Sequence, residues 1–195
     1  MNKIYAIKHT KNMKKIFLYL SAFIPLYCLI IIKLLIEIIN NNLTFNVLNS
    51  LTLCLLTLFI LLGILGLVLE NKNCSEIMEI KIIQKKSITQ QHFLGYFSLF
   101  VLFALTFELE KISMFVIFLL ILTLIGIVYI KNDLFYINPF LNILGYNFYD
   151  IKYKDKDGNI KIDKFYFKGK LENKNYIVKK GDINFNYIYR QDNEK

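Results

Sequence analysis

The sequence predicts an α-helical transmembrane protein of four spans, both ends on the cytoplasmic side, with a small cytoplasmic all-β domain after the last span. Three observations predict it. Apolar residues gather before position 130 into stretches long enough to cross a bilayer. Lysines flank those stretches, and all fall on one side if the spans number four. After Lys131 the pattern changes from apolar runs to apolar–polar alternation.

Hydrophobic residues are 55% of the 195, above the roughly 45–50% of soluble domains, and the mean hydropathy is +0.43. That average blends an apolar front with a charged, aromatic back. The formal net charge is +9. Because the lysines flank apolar stretches, they encode membrane orientation before they suggest nucleic acid. Cys28, Cys54 and Cys74 are odd in number and form no C-x-x-C pair, which argues against a disulfide framework or a zinc site. They read as small apolar fillers and one free thiol in a reducing compartment.

Residues 1–15 read as a basic cytoplasmic arm carrying Lys3, Lys8, Lys11, Lys14 and Lys15. The run from Ile16 to Ile39 is much longer than the core of a secretory signal and has no small-residue exit, so it reads as an uncleaved first span. Pro25 should kink it, which membrane helices tolerate. A short uncharged link, Asn40–Thr44, leads to a second span over Phe45–Leu69. There Gly63 and Gly66 offer a place for another helix to approach closely.

The polar loop over 70–91 contains Met78–Ile82, which alternates with period two as a strand does. A lone strand is unstable, so it must pair with another on the same side, and the C-terminal sheet is available. Ser87 or Thr89 should cap the next helix. The third span, from about His92 to Phe107, is the shortest. An acidic turn, Glu108–Lys111, precedes an aliphatic and aromatic fourth span over Ile112–Ile130. The transmembrane domain is thus expected over 16–130.

Orientation follows from charge. The arm, the 70–91 loop with Lys72, Lys81, Lys85 and Lys86, and the segment from Lys131 are all basic. The two other connections are uncharged or acidic. Four spans put every basic segment on one side, and the lysine excess marks that side as cytoplasmic. Three spans would put one of them on the wrong side.

Residues 131–195 read as a cytoplasmic β-rich domain. Strand candidates are Asn147–Lys154, Ile160–Phe167 and Ile183–Arg190, broken by Asp155–Asn159, Gly169 and Gly181. Short alternating strands at this spacing suggest a small barrel or a sandwich.

Few residues suggest chemistry. Lys33 and Glu37 are the ionisable residues well inside an apolar run, and spacing of four puts them on one helix face. They form an intramembrane ion or proton site, or they lie near the outer end of the span, where the Lys33 amine snorkels to the far interface. The second reading is the plainer. Asp155–Asn159 resembles the start of a calcium loop, but Ile160 and Tyr166 stand where Gly and Glu are required, and Asp157-Gly158 is a hairpin signal. His9 and His92 have no ligand partners at suitable spacing. With no phosphate loop, nucleophile elbow or zinc helix, no catalytic residue, metal ligand or cofactor is expected, and the chain reads as non-enzymatic. Tyr153, Phe165, Tyr166, Phe167 and Tyr189 lie among lysines, as nucleic-acid or anionic-lipid binders do. Asp150, Asp155, Asp157 and Asp163 break any positive stripe, so a docking surface for a soluble partner is preferred to direct nucleic-acid binding.

The segment after the fourth span is the most distinctive: Leu134-Phe-Tyr-Ile-Asn138-Pro139-Phe-Leu-Asn142-Ile-Leu-Gly145-Tyr146-Asn-Phe-Tyr149. It reads as a short interfacial strand, a Pro-started turn of helix and a Gly145 stop, then a strand: Pro139 suits a first helical turn and Gly145 the position just past its end. This pattern after a fourth span resembles the KwaA family, the small membrane subunit of the bacterial Kiwa anti-phage system. The resemblance implies a place in the bacterial inner membrane, assembly into a homo-oligomer, and recruitment of a soluble, DNA-binding KwaB-like partner. The chain is then expected to be a sensor or scaffold, with Asn138, Pro139, Gly145, Tyr146 and Tyr149 at the junction of membrane and cytoplasmic domain. The alternative is a pore-forming effector or small transporter whose oligomer lines a path with Lys33, Glu37, Asn46, Asn49 and Ser50.

Overall fold

The first apolar run folds as two helices, α1 (Asn2–Ala22) and α2 (Ile24–Ile39), that meet at Phe23 with a bend of 52°. The break falls before Pro25, not at it. Pro25 occupies the first turn of α2, where a missing N–H leaves no bond unmade, so the chain turns just ahead of it. The lysines of the expected arm lie on α1 itself, which starts at Asn2. In this computed structural model residues 2–40, 47–72, 76–109, 111–172, 174–181 and 186–191 are described. Most of the Asn40–Thr44 link, Asn46, Cys74 and the side chains of His9 and His92 lie outside that description.

Helix α3 (Val47–Lys72) runs back along α1. The expected close approach occurs at both glycines. A Cβ on Gly63 would stand 2.9 Å from the Ser21 backbone, and one on Gly66 would stand 2.6 Å from the Phe17 Cβ. Helix α4 (Thr89–Thr106) packs on α2, and α5 (Ile112–Lys131) packs on α1. Among the described residues, α3 and α5 are long and apolar enough to cross a membrane, and the bent pair α1–α2 makes a third span if counted as one. The expected third span falls on α4, a helix of 18 residues that is not among these, because its first turn, Thr89-Gln-Gln-His92, is polar.

Five strands close a barrel: β1 (Glu76–Ser87), β2 (Tyr146–Lys154), β3 (Ile160–Lys168), β4 (Asn175–Lys180) and β5 (Asn186–Gln191). The order is β1-β2-β3-β5-β4, with β3–β5 the one parallel pair. This is a five-stranded Greek-key barrel of the OB type; such a fold alone names no ligand. The strand foreseen around Ile80 pairs with both β2 and β4 and so closes the ring. The start of the expected last strand, 183–185, lies outside the described residues. The Asp155 carboxylate accepts from the Asp157 and Asn159 amides at 3.1 and 2.8 Å, and Gly158 takes a φ of +86°, as the hairpin reading required.

Alternation along the strands splits the apolar residues between two cores. Ile80, Ile82, Tyr149, Ile151, Tyr153, Phe165, Tyr176, Val178 and Ile188 fill the barrel. Their neighbours Phe148 and Tyr166, opposite one another on β2 and β3, face outward and join the core of the helices. The barrel therefore docks on the helices by one outer face.

Candidate functional site

The joint between helices and barrel is built on Asn138. Its Oδ1 accepts from the Leu141 N–H at 3.2 Å, capping the five-residue helix α6 (Pro139–Ile143). Its Nδ2 donates to the Ser21 hydroxyl at 2.8 Å, and that hydroxyl donates to the Leu18 carbonyl at 2.7 Å. Ser21 is fully buried in the last turn of α1, two residues before the bend. One amide side chain thus ties the kink of the first run to the turn that leads into β2, and it is 1% exposed, so both bonds are shielded from water.

Pro139 opens α6 and is buried. Gly145 ends it with a φ of +86°, a backbone that side chains rarely adopt, and its N–H donates to Asn142 O at 3.0 Å. Tyr146 follows directly, edge-on to Tyr166 with centroids 5.7 Å apart. Tyr149 lies elsewhere. It points into the barrel, where its hydroxyl donates to Gly169 O at 3.2 Å and accepts from the Leu171 N–H at 3.4 Å.

Further ties surround the joint. The Tyr129 hydroxyl donates to Ile137 O at 2.6 Å, binding the end of α5 to the residue before Asn138. The Tyr19 hydroxyl donates to Leu122 O at 2.5 Å, binding α1 to α5. Lys15 meets Asp133 at 2.6 Å, and Lys14 meets the buried Glu70 at 3.9 Å. Asp133 sits in a left-handed turn (φ 49°), where Asp is among the tolerated residues. Neither Ser87 nor Thr89 caps α4; the cap position is Ile88. Ser87 ends β1, and the Thr89 hydroxyl instead accepts from the Phe148 N–H at 2.7 Å, so the helix start is stitched to β2. Sequence reading missed Ser21, Asp133 and Tyr129, because each acts on a partner set by packing. Only the turn-forming Asn132-Asp133 after an apolar helix carried a local signal.

Lys33 and Glu37 lie far from this joint along α2. Their charged atoms are 4.0 Å apart. The Lys33 ammonium donates to Phe107 O at 3.0 Å and Leu105 O at 3.4 Å. It therefore caps the C-terminal end of α4, where the helix dipole is negative. A groove of about 310 Å³ beside the pair is lined by α2 and α4 residues. Asn49 is fully buried on α3 and does not line it, and Ser50 is exposed.

Among the described residues, no group of three or more His, Cys, Asp or Glu could hold a metal. Cys28 and Cys54 are exposed free thiols. The arrangement is mechanical: buried hydrogen bonds join a bent helix, two helix ends and a barrel.

Compared with known proteins, the chain matches a family model described as anti-phage protein KwaA over residues 14–190. The match takes in every helix in whole or part, the joint and all but the last residue of the barrel. No curated protein and no solved structure matches.

Proposed function

Because the chain belongs to the KwaA family of anti-phage proteins, we propose that it is a non-enzymatic sensor and scaffold of the bacterial inner membrane that recruits a soluble, KwaB-like effector. In this reading α1–α2, α3, α4 and α5 are four spans, and the barrel and both ends are cytoplasmic. Three features support that topology. Strand β1 joins α3 to α4 and strand β2 follows α5, so α4 and α5 leave the barrel side and return to it. Lys14 and Lys15 near the start of the first span meet Glu70 at the end of α3 and Asp133 after α5, on that same side. Lysine-rich segments gather there, as cytoplasmic segments do.

The observation that carries the sensing role is the Asn138–Ser21 bond. A change in the bend at Phe23 would pull directly on the cap of α6 and, through Gly145, on β2. Coupling between distant sites is carried by contiguous hydrogen-bonded networks and rigid elements of this kind. The barrel, whose outer face beyond the docked patch is open, offers the output surface. Large apolar side chains remain uncovered on α3 and α5, among them Leu58, Leu61, Leu120 and Leu124. They suit lipid and, in a homo-oligomer, a second copy.

The test uses Pro139→Ala and Gly145→Val. Protection against phage in plaque assays should fall, and less of the neighbouring gene's product should be captured from membranes, while the chain is still inserted. If both variants defend and recruit as the parent does, coupling through the joint is rejected. Ion flux across liposomes containing this chain alone would replace the scaffold with the pore alternative.

A further inference from the structure

A second groove, of about 220 Å³, opens where the end of α3, α6 and the outer face of the barrel meet. Its lower wall is apolar, with Leu67 and Val68 from α3 and Leu141 and Leu144 from α6. Val68 and Leu144 stay 44% and 46% exposed. The upper wall is made by Tyr146, Tyr166 and Tyr187. Strand register explains the rest. Lys168 lies opposite Tyr146 across β2–β3, and Lys179 lies opposite Tyr187 across β4–β5. Their ammonium groups are 5.9 and 5.8 Å from those rings. The groove is thus lined by hydrocarbon from α3 and α6 and by three tyrosines, two of which carry a lysine opposite them on the neighbouring strand.

We propose that this groove seats one anionic phospholipid of the leaflet beside the barrel. An acyl chain lies against Leu67, Val68 and Leu144, and the phosphate meets Lys168, Lys179 and the tyrosine hydroxyls. The pairing of an apolar wall with tyrosines and adjacent lysines is what selects the occupant. A phosphodiester accepts from ammonium and phenol groups, and basic pockets at the cytoplasmic ends of spanning helices suit anionic headgroups. A soluble anion would gain nothing from the apolar half, and a second copy of this chain would have to bring an acidic group to the lysines. The seat touches α6 and β2, so lipid bound there reports on the joint. The inference rests on membrane association alone, and partner recruitment does not enter it.

The test is binding to the full chain, purified in detergent and stripped of lipid, read by native mass spectrometry and tyrosine emission. Dioleoylphosphatidylglycerol should bind at one per chain and more tightly than dioleoylphosphatidylcholine, and glycerol phosphate should not compete. Lys168→Gln or Lys179→Gln should each weaken binding about fivefold, and the pair together about thirtyfold. Leu144→Trp, which fills the groove and leaves both lysines in place, should also remove binding. Thermal unfolding of each variant checks that it is folded. Equal affinity for the two lipids, full competition by glycerol phosphate, or wild-type binding by the lysine pair variant overturns the proposal. So does a Leu144→Trp protein that keeps the lipid, and so does one whose oligomeric mass falls while the lipid stays, since a second copy then occupies the groove. None of these results bears on effector recruitment, which the plaque and capture assays read separately.

Discussion

Asn138 donates to the Ser21 hydroxyl over 2.8 Å across 117 positions of sequence, and both side chains are buried. The bond crosses from the turn before β2 to the last turn of α1. It joins the helix that ends at the bend to the turn that leads into the barrel.

Asn138→Ala removes that bond and the cap of α6 together. Stability should fall by about 1–3 kcal/mol. Ser21→Ala should cost less, and a double-mutant cycle should return a coupling of about 0.5–1.5 kcal/mol. Denaturation of the full chain in detergent measures all three. A coupling near zero would mean the two side chains act independently.

Packing of α1 on α3 should be intolerant at Gly66. A Cβ there meets the Phe17 Cβ at 2.6 Å and its carbonyl carbon at 2.8 Å, so backbone has to move. Gly66→Ala should cost about 1–3 kcal/mol, as overpacked sites do. Gly95, with nothing within 4 Å of an added Cβ, serves as the control: Gly95→Ala should be neutral or mildly stabilising in the same melts.

Lys33 and Glu37 should respond unequally. Lys33→Met removes the donor to the Phe107 and Leu105 carbonyls and should destabilise by about 1 kcal/mol. Glu37→Gln, whose carboxylate meets Lys33 only at 4.0 Å, should change stability by less than about half of that. Both variants should still defend in plaque assays. If Glu37→Gln alone abolished defence, the pair would be an ion site and not a helix cap.

Alkaline pH should loosen the barrel. Burial pushes the Tyr153 phenol above its usual 10.0. Burial also works against the Lys180 ammonium, but its bonds to Asp163 and Tyr153 outweigh that and hold it above the usual 10.5. Both groups hold their protons more tightly folded than unfolded, so their contribution is complete below about pH 10 and is lost as pH rises through the folded values. Melting temperature should be level from about pH 7 to 9 and fall above about 10. Lys180→Met should make that fall shallower, and an unchanged slope would remove Lys180 from the account.

Much of this architecture was legible in the residues. Apolar runs marked the helices, and period-two alternation marked the strands, because both depend on which neighbours along the chain share a face. The 78–82 alternation even foretold that the loop strand joins the C-terminal sheet, since an isolated strand leaves its amides unpaired. The Pro139 and Gly145 boundaries of α6 were readable for the same local reason: one lacks an N–H and the other tolerates a left-handed turn.

What the sequence determined by itself is therefore the kind of most elements, the division into apolar helices and a β domain, and the family; Leu134–Tyr136, which reads as a short strand, is instead a turn of 3-10 helix. The tertiary structure alone decided that the strands close a barrel and not a sandwich, that the first run breaks at Phe23, and that Tyr149 serves the barrel core while Tyr146 stays at the joint. It also decided the partners of Asn138, Lys15 and Lys33, which lie 117, 118 and 74 positions away along the chain. Periodicity describes which face a residue is on. It carries no information on which distant element will cover that face, because that depends on how all the elements pack at once.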